Sequence, residues 1–269
     1  VALALAAPPP AAAHHGRDFL LSQSAELPHP GQVFLVSRQD YADAGTSFLE
    51  LEPAVLVGLG ERLAFEIHGH AGREQGGDFE YESTAPALHL LLTPHHSPWG
   101  LVLSAEYEFA HGGGDHAEAD HDDEVAATTA PLLSIGDHHE AGEGDDDDHH
   151  DEEGDAHVHR DNAAVRLSAS SQLRGFLVAA NVLASEEQTS GADVQWGYTA
   201  GLRHALGGRG WAWGLEAQGD LEGDDGHEGL LGLYYEPSQA FAFNVGLGAG
   251  FGDSELDYAL RTSLVWRVH

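Results

Sequence analysis

The sequence predicts an all-β protein: a transmembrane, antiparallel, up-and-down β-barrel of about twelve strands carrying one long extracellular loop rich in His and Asp. Three observations predict it. Short runs alternate apolar and polar residues with period two, the signature of strands with one apolar face. The connections between them alternate strictly between short and long. And residues 111–160, HGGGDHAEADHDDEVAATTAPLLSIGDHHEAGEGDDDDHHDEEGDAHVHR, are too charged to pack. They hold nine His, 17 Asp or Glu and one Arg, a formal charge of −16 out of −34 for the chain. A like-charge block of this kind repels itself and buries too little apolar surface to offset chain entropy.

The chain opens with VALALAAPPPAAAHH. An apolar stretch followed by Ala11-Ala12-Ala13, an A-x-A pattern, reads as the remnant of a secretory signal over residues 1–13. Residues 14–31, HHGRDFLLSQSAELPHPG, have no clean period and two prolines, and read as a periplasmic lead-in. No other run approaches the ~18–20 apolar residues of a membrane-spanning helix, so any crossing is made by strands.

The barrel is expected over residues 32–269, with strands at 32–43, 46–58, 62–72, 79–93 and 99–110 before the charged loop. After it come 161–173, 176–185, 193–206, 210–220, 228–236, 240–251 and 256–268. In the third strand Leu63, Phe65 and Ile67 oppose Arg62, Glu66, His68 and His70. In the fifth, Trp99, Leu101, Leu103, Ala105, Tyr107 and Phe109 oppose Ser104, Glu106 and Glu108. Val165, Leu167 and Ala169 oppose Arg166, Ser168 and Ser170; Trp196, Tyr198, Ala200 and Leu202 oppose Thr199 and Arg203. Trp211, Trp213, Leu215 and Ala217 oppose Glu216 and Gln218, and Tyr258 to Val268 alternates with Arg261, Ser263 and Arg267. Pro53 and Pro86 fall inside strands, where each costs a ladder hydrogen bond.

Short connections (58–62, 93–99, 174–175, 206–210, 236–239) alternate with longer polar ones (43–46, 72–78, the great loop, 185–193, 219–228, 252–255). Outer-membrane barrels have this asymmetry, with tight periplasmic turns and longer outward loops. Aromatics near strand ends suit the two interfacial girdles. A soluble barrel would carry Lys and Glu outside. Here all 11 basic residues are Arg, and the polar faces are Gly, Ser, Thr, Gln, Glu and Arg.

The closing run Tyr258-Ala-Leu-Arg-Thr-Ser-Leu-Val-Trp-Arg-Val-His resembles the terminal strand that outer-membrane proteins present to their assembly machinery, an expected partner during insertion. It departs from that pattern in ending on His269 rather than an aromatic. The twelve-strand plan, with Trp196-Gly197-Tyr198 and Leu264-Val265-Trp266-Arg267, looks like small transporter-like outer-membrane barrels, including the family named for a phenol-degradation (MetA-pathway-like) route. The resemblance implies fold, a Gram-negative outer-membrane location and lipid as surroundings, and no substrate.

The acidic balance, at a pI of about 4.6, offers no basic patch for nucleic acid. With no Cys, neither disulfides nor thiolate metal sites exist. Imidazole with carboxylate suits Zn²⁺, Ni²⁺ or Cu²⁺, and a His/Asp tract reads compositionally as metal binding. The candidate ligands are His111, His116, His121, His138, His139, His149, His150, His157 and His159, with Asp145, Asp146, Asp147 and Asp148. Their uneven spacing points to dynamic, multi-site capture of divalent ions rather than one closed site, and no cofactor is obligatory. The bland alternative is an acidic, solvated brush. The apolar insert 125–135 is either a linker or a segment that folds back on the barrel mouth.

The expected lumen carries Glu50, Glu52, Glu66, His68, His70, Glu106 and Glu108 on early strands, and Arg166, Arg203, Glu216, Arg261 and Arg267 on later ones. An acidic wall facing a wall richer in Arg makes either a transverse field in an open channel or salt bridges that close it. Inward His68 and His70 would serve as a metal way-station or hydrogen-bond the Glu wall. No Gly-x-Ser-x-Gly or similar frame presents a nucleophile, so an enzyme is not expected. The leading reading is a channel or transporter-like barrel whose loop binds divalent transition metals; the other is a closed, non-conducting barrel for surface metal sensing or interaction.

Overall fold

A computed structural model describes residues 17–94, 97–111, 160–189, 191–207, 210–222, 226–252, 254 and 256–269. Residues 1–13, expected to be a signal remnant, the insert 125–135 and all of the charged loop except His111 and Arg160 lie outside the described residues. Twelve strands follow in order: β1 Val33–Asp43, β2 Ser47–Gly60, β3 Leu63–Glu74, β4 Glu80–Leu91, β5 Trp99–Ala110, β6 Asn162–Leu173, β7 Phe176–Glu187, β8 Gln195–Ala205, β9 Trp211–Asp220, β10 His227–Ser238, β11 Phe241–Phe251 and β12 Tyr258–Arg267. Each pairs antiparallel with its sequence neighbours, and β1 pairs with β12 from Phe34↔Arg267 to Asp43↔Tyr258, closing the ring. No sheet edge is left open, which is the condition for a strand structure to sit in lipid.

The period-two pattern sets the wall. Along β5, Trp99, Leu103 and Phe109 face outward and exposed, whereas Val102, Ser104 and Glu108 are buried inside. Around the ring the outward residues are Leu88, Leu103, Leu167, Leu215, Leu231, Leu247 and Leu260, with Leu247 as much as 66% exposed. A belt of exposed leucine is intelligible only against hydrocarbon. Aromatics rim it at both ends: Trp99, Trp211, Phe241 and Trp266 at the short turns, and Tyr81, Phe109, Trp196 and Tyr258 at the long loops. The two prolines mark lapses in pairing. The β2–β3 ladder skips Glu52 and Pro53, and the β4–β5 ladder skips Ala85 and Pro86, each resuming in the same register.

The structure departs from the expected periplasmic lead-in. Residues 17–25, together with Leu27 and Pro28, are buried but for a half-buried Glu26, and they lie inside the barrel. Residues 29–32 turn back at the short-turn end, where Gly31 N–H donates to the Gly58 carbonyl and Val33 N–H to that of His269. The reason lies in composition. Ala25 and Leu27 pack among lumenal Phe34, Val36, Leu56, Leu91, Val102 and Val265. Leu20 and Leu21 pack against Ala212, Leu230 and Tyr234. The short-turn half of this lumen gathers these apolar side chains beside the buried Arg203 and Glu236, and an aperiodic segment with Phe-Leu-Leu fills it.

Candidate functional site

The site is the lumen and the segment lodged in it. The wall makes room for that segment with glycine: a Cβ on Gly201 would stand 2.7 Å from the Phe19 ring, and one on Gly100 2.6 Å from the Ala25 carbonyl oxygen. Neither position tolerates a larger side chain while the segment stays in place.

Three polar anchors hold the segment. Glu216, on β9, accepts the backbone N–H groups of Leu20 at 2.8 Å, Leu21 at 2.7 Å and Ser22 at 2.8 Å, and the Tyr234 hydroxyl at 2.5 Å. One buried carboxylate thus satisfies three consecutive backbone donors that no strand pairs with. Arg203, on β8, donates to the Asp18 carbonyl at 3.0 Å and to Glu236 at 2.7 Å, and lies 4.8 Å over the Tyr234 ring. On the far wall Arg17 forms an ion pair with Glu66 of β3. Between these, Arg166 of β6 donates to Gln23 at 3.1 Å, and Ala25 N–H donates to Ser170 at 2.9 Å.

The acidic and histidine side chains gather on β2 to β5. His70 meets Glu50 at 2.8 Å; His89 meets Ser104 at 2.8 Å and Glu66 at 3.2 Å. His68 stands 3.7 Å from both Glu66 and Glu106, and its ring meets that of His70 edge-on at 5.0 Å. Glu108 accepts from Ser83. Arg38 of β1 reaches Glu52 at 3.3 Å. Glu52, Glu66 and His68 bring one donor atom each within 4.8 Å of one another. A cavity of about 20 Å³ lies among Arg17, Arg38, Glu52, His68, His70 and Arg166, room for a single water or ion.

The arginines do not form a separate wall. Arg261 of β12 binds Glu228 of β10 with two nitrogens, at 3.0 and 2.6 Å, and Asp40 of β1 at 2.5 Å, so it sits beside the acidic strands across the closure. Arg267 stands half-buried at the short-turn end of β12. The pattern is of local pairs rather than opposed faces. Of the loop histidines, only His111 is described: it bonds Thr84 at 2.9 Å and stacks on Tyr81 at 5.3 Å, at the rim. His116, His121, His138, His139, His149, His150, His157, His159 and Asp145 to Asp148 lie outside the described residues.

Sequence reasoning missed Arg17, Asp18, Gln23, Arg38, Asp40, His89, Glu228 and Tyr234. For the segment, the available signal was Phe19-Leu20-Leu21 in an aperiodic run, opposite Gly100, Gly201 and Gly246 at inward positions. His89 and Glu228 were legible from parity alone.

No family model and no curated protein sequence matches the chain. Among solved structures it is similar to the KdgM porin, with a TM-score of 0.54 at 8% identity over 88% of this chain and 99% of that one. It is similar to an outer membrane channel from Pseudomonas putida F1, at 0.55 and 11% over 90% and 96%. The NanC porin follows, at 0.52 and 7% over 87% and 100%. At these identities the likeness is one of fold, and with the exposed leucine belt it makes this chain a closed twelve-strand β-barrel of the outer-membrane kind.

Proposed function

We propose that the protein is an outer-membrane channel or transporter-like barrel, entered from the long-loop side, in which residues 17–28 stand across the path. The extracellular loop 111–160 gathers Zn²⁺, Ni²⁺ or Cu²⁺ at its mouth. The observation that supports a path is the polarity of the lumen beyond the segment. Asp40, Glu50 and Arg261 line it with side chains 27%, 22% and 16% exposed, so water reaches the long-loop end of the lumen. A barrel built only as a scaffold has no need of so many ionised groups in its interior, since each costs desolvation. The KdgM porin, similar in fold, is described in complex with disordered oligogalacturonate, which supports solute handling by a barrel of this shape.

The second reading is a closed barrel that displays the loop for metal sensing or interaction. The bonds that hold Leu20 to Ser22 on Glu216 favour it. Conductance of the full chain in planar bilayers, with and without Zn²⁺, separates the two. Discrete openings are expected; a barrel silent under every condition overturns the channel reading and leaves the closed one.

A further inference from the structure

We infer that Glu52, Glu66 and His68 form a divalent transition-metal site in the barrel wall, and that an ion entering it displaces Arg17 from Glu66. The site stands on the described barrel residues and does not depend on whether the loop binds metal or the barrel conducts.

Two independent observations carry it. The first is the convergence of a mixed nitrogen and oxygen donor set, all three atoms within 4.8 Å, beside a cavity that holds one ion. Two carboxylates neutralise a divalent charge, and imidazole with carboxylate selects Zn²⁺, Ni²⁺ or Cu²⁺ over Mg²⁺ or Ca²⁺. The second is that His68 Nδ1 and His70 Nε2 are buried without a hydrogen-bond partner in side chains 6% and 4% exposed, both lining that cavity. Buried ring nitrogens without partners are costly and need a reason. His68 Nδ1 is 3.7 Å from Glu66 Oε1, too far for a hydrogen bond. It is close to the spacing of about 3.4 Å that two ligands of one tetrahedral ion adopt at bonds of about 2.1 Å.

The oxygens are arranged so that one cation can replace another. Glu66 uses Oε2 for His89 and Oε1 for Arg17. Glu52 uses Oε2 for Arg38. Three guanidinium groups face the cavity, from Arg17, Arg38 and Arg166, and of these Arg17 holds the oxygen nearest His68. Arg17 belongs to the lodged segment. Metal and segment therefore compete for one carboxylate oxygen.

The test uses the full-length chain with the eight loop histidines from His116 to His159 replaced by glutamine, which removes the loop's imidazoles and leaves His111 on its rim partners Thr84 and Tyr81. Folding is verified by the altered gel migration of unheated barrels. Zn²⁺ titration is expected to show one equivalent, abolished by His68→Ala and weakened at least tenfold by Glu66→Gln. Arg17→Ala is expected to tighten binding at least threefold. No binding in this background, or binding indifferent to both His68→Ala and Glu66→Gln, overturns the site. An unchanged affinity in Arg17→Ala overturns the competition.

Discussion

Glu216 shows how much one side chain can do when a whole segment lacks backbone partners. Its two oxygens serve the N–H groups of Leu20, Leu21 and Ser22 and the Tyr234 hydroxyl. Hydrogen bonds to a charged acceptor contribute roughly 1.5–3 kcal/mol each, and a donor stranded in the interior forfeits its solvation as well. Glu216→Ala is therefore expected to free the segment while leaving the wall intact. Hydrogen exchange at the amides of Leu20 to Ser22 should accelerate by tenfold or more, with the strand amides unchanged. Uniform acceleration throughout the barrel would instead mean that Glu216 supports the wall. Nothing in residues 14–31 announced this role. Backbone donors carry no sequence signal, and an inward Glu on a strand reads the same whether water or a buried chain sits opposite.

At the scale of the strand, the closure of β1 on β12 is tied by Arg261, which spans β10, β12 and β1 through Glu228 and Asp40. Glu228 is fully buried, with Gln218 as its other partner at 2.8 Å. Removing the arginine leaves a buried carboxylate without its counter-charge, which costs about 3–5 kcal/mol. Arg261→Leu should lower the urea midpoint accordingly, and adding Glu228→Gln should recover at least half of the loss. If the double variant is no better than the single, the pair does not act as a unit. The strands themselves were legible because alternation is a local property. Every expected strand falls within three residues of an observed one, and even Pro53 and Pro86 announced their lapses in pairing. Which charges meet was not legible, because Arg261 and Asp40 are brought together by closure between residues 221 positions apart.

For the whole molecule, charge is concentrated in residues 111–160, which carry −16 of the formal −34. Metal capture by that loop through imidazole requires the neutral ring, so affinity falls as the histidines protonate, around ~6.5 for the unperturbed group. Zn²⁺ binding by a peptide of residues 111–160 is expected to collapse between pH 7 and pH 6. Binding that stays flat there, or prefers Ca²⁺, would mean that carboxylates alone do the holding. The lodged segment, meanwhile, constrains how the molecule is made. It hangs from β1 by residues 29–32, a tether of at most about 14 Å, and β1 is zipped to β12, more than 200 residues further along the chain. Pairing at that seam joins residues so far apart in sequence that it is the slowest kind of contact to form. Unless the segment is already enclosed when the seam zips, it must thread in from the short-turn end afterwards. Order of assembly, and not affinity alone, decides whether a newly made barrel is born occupied.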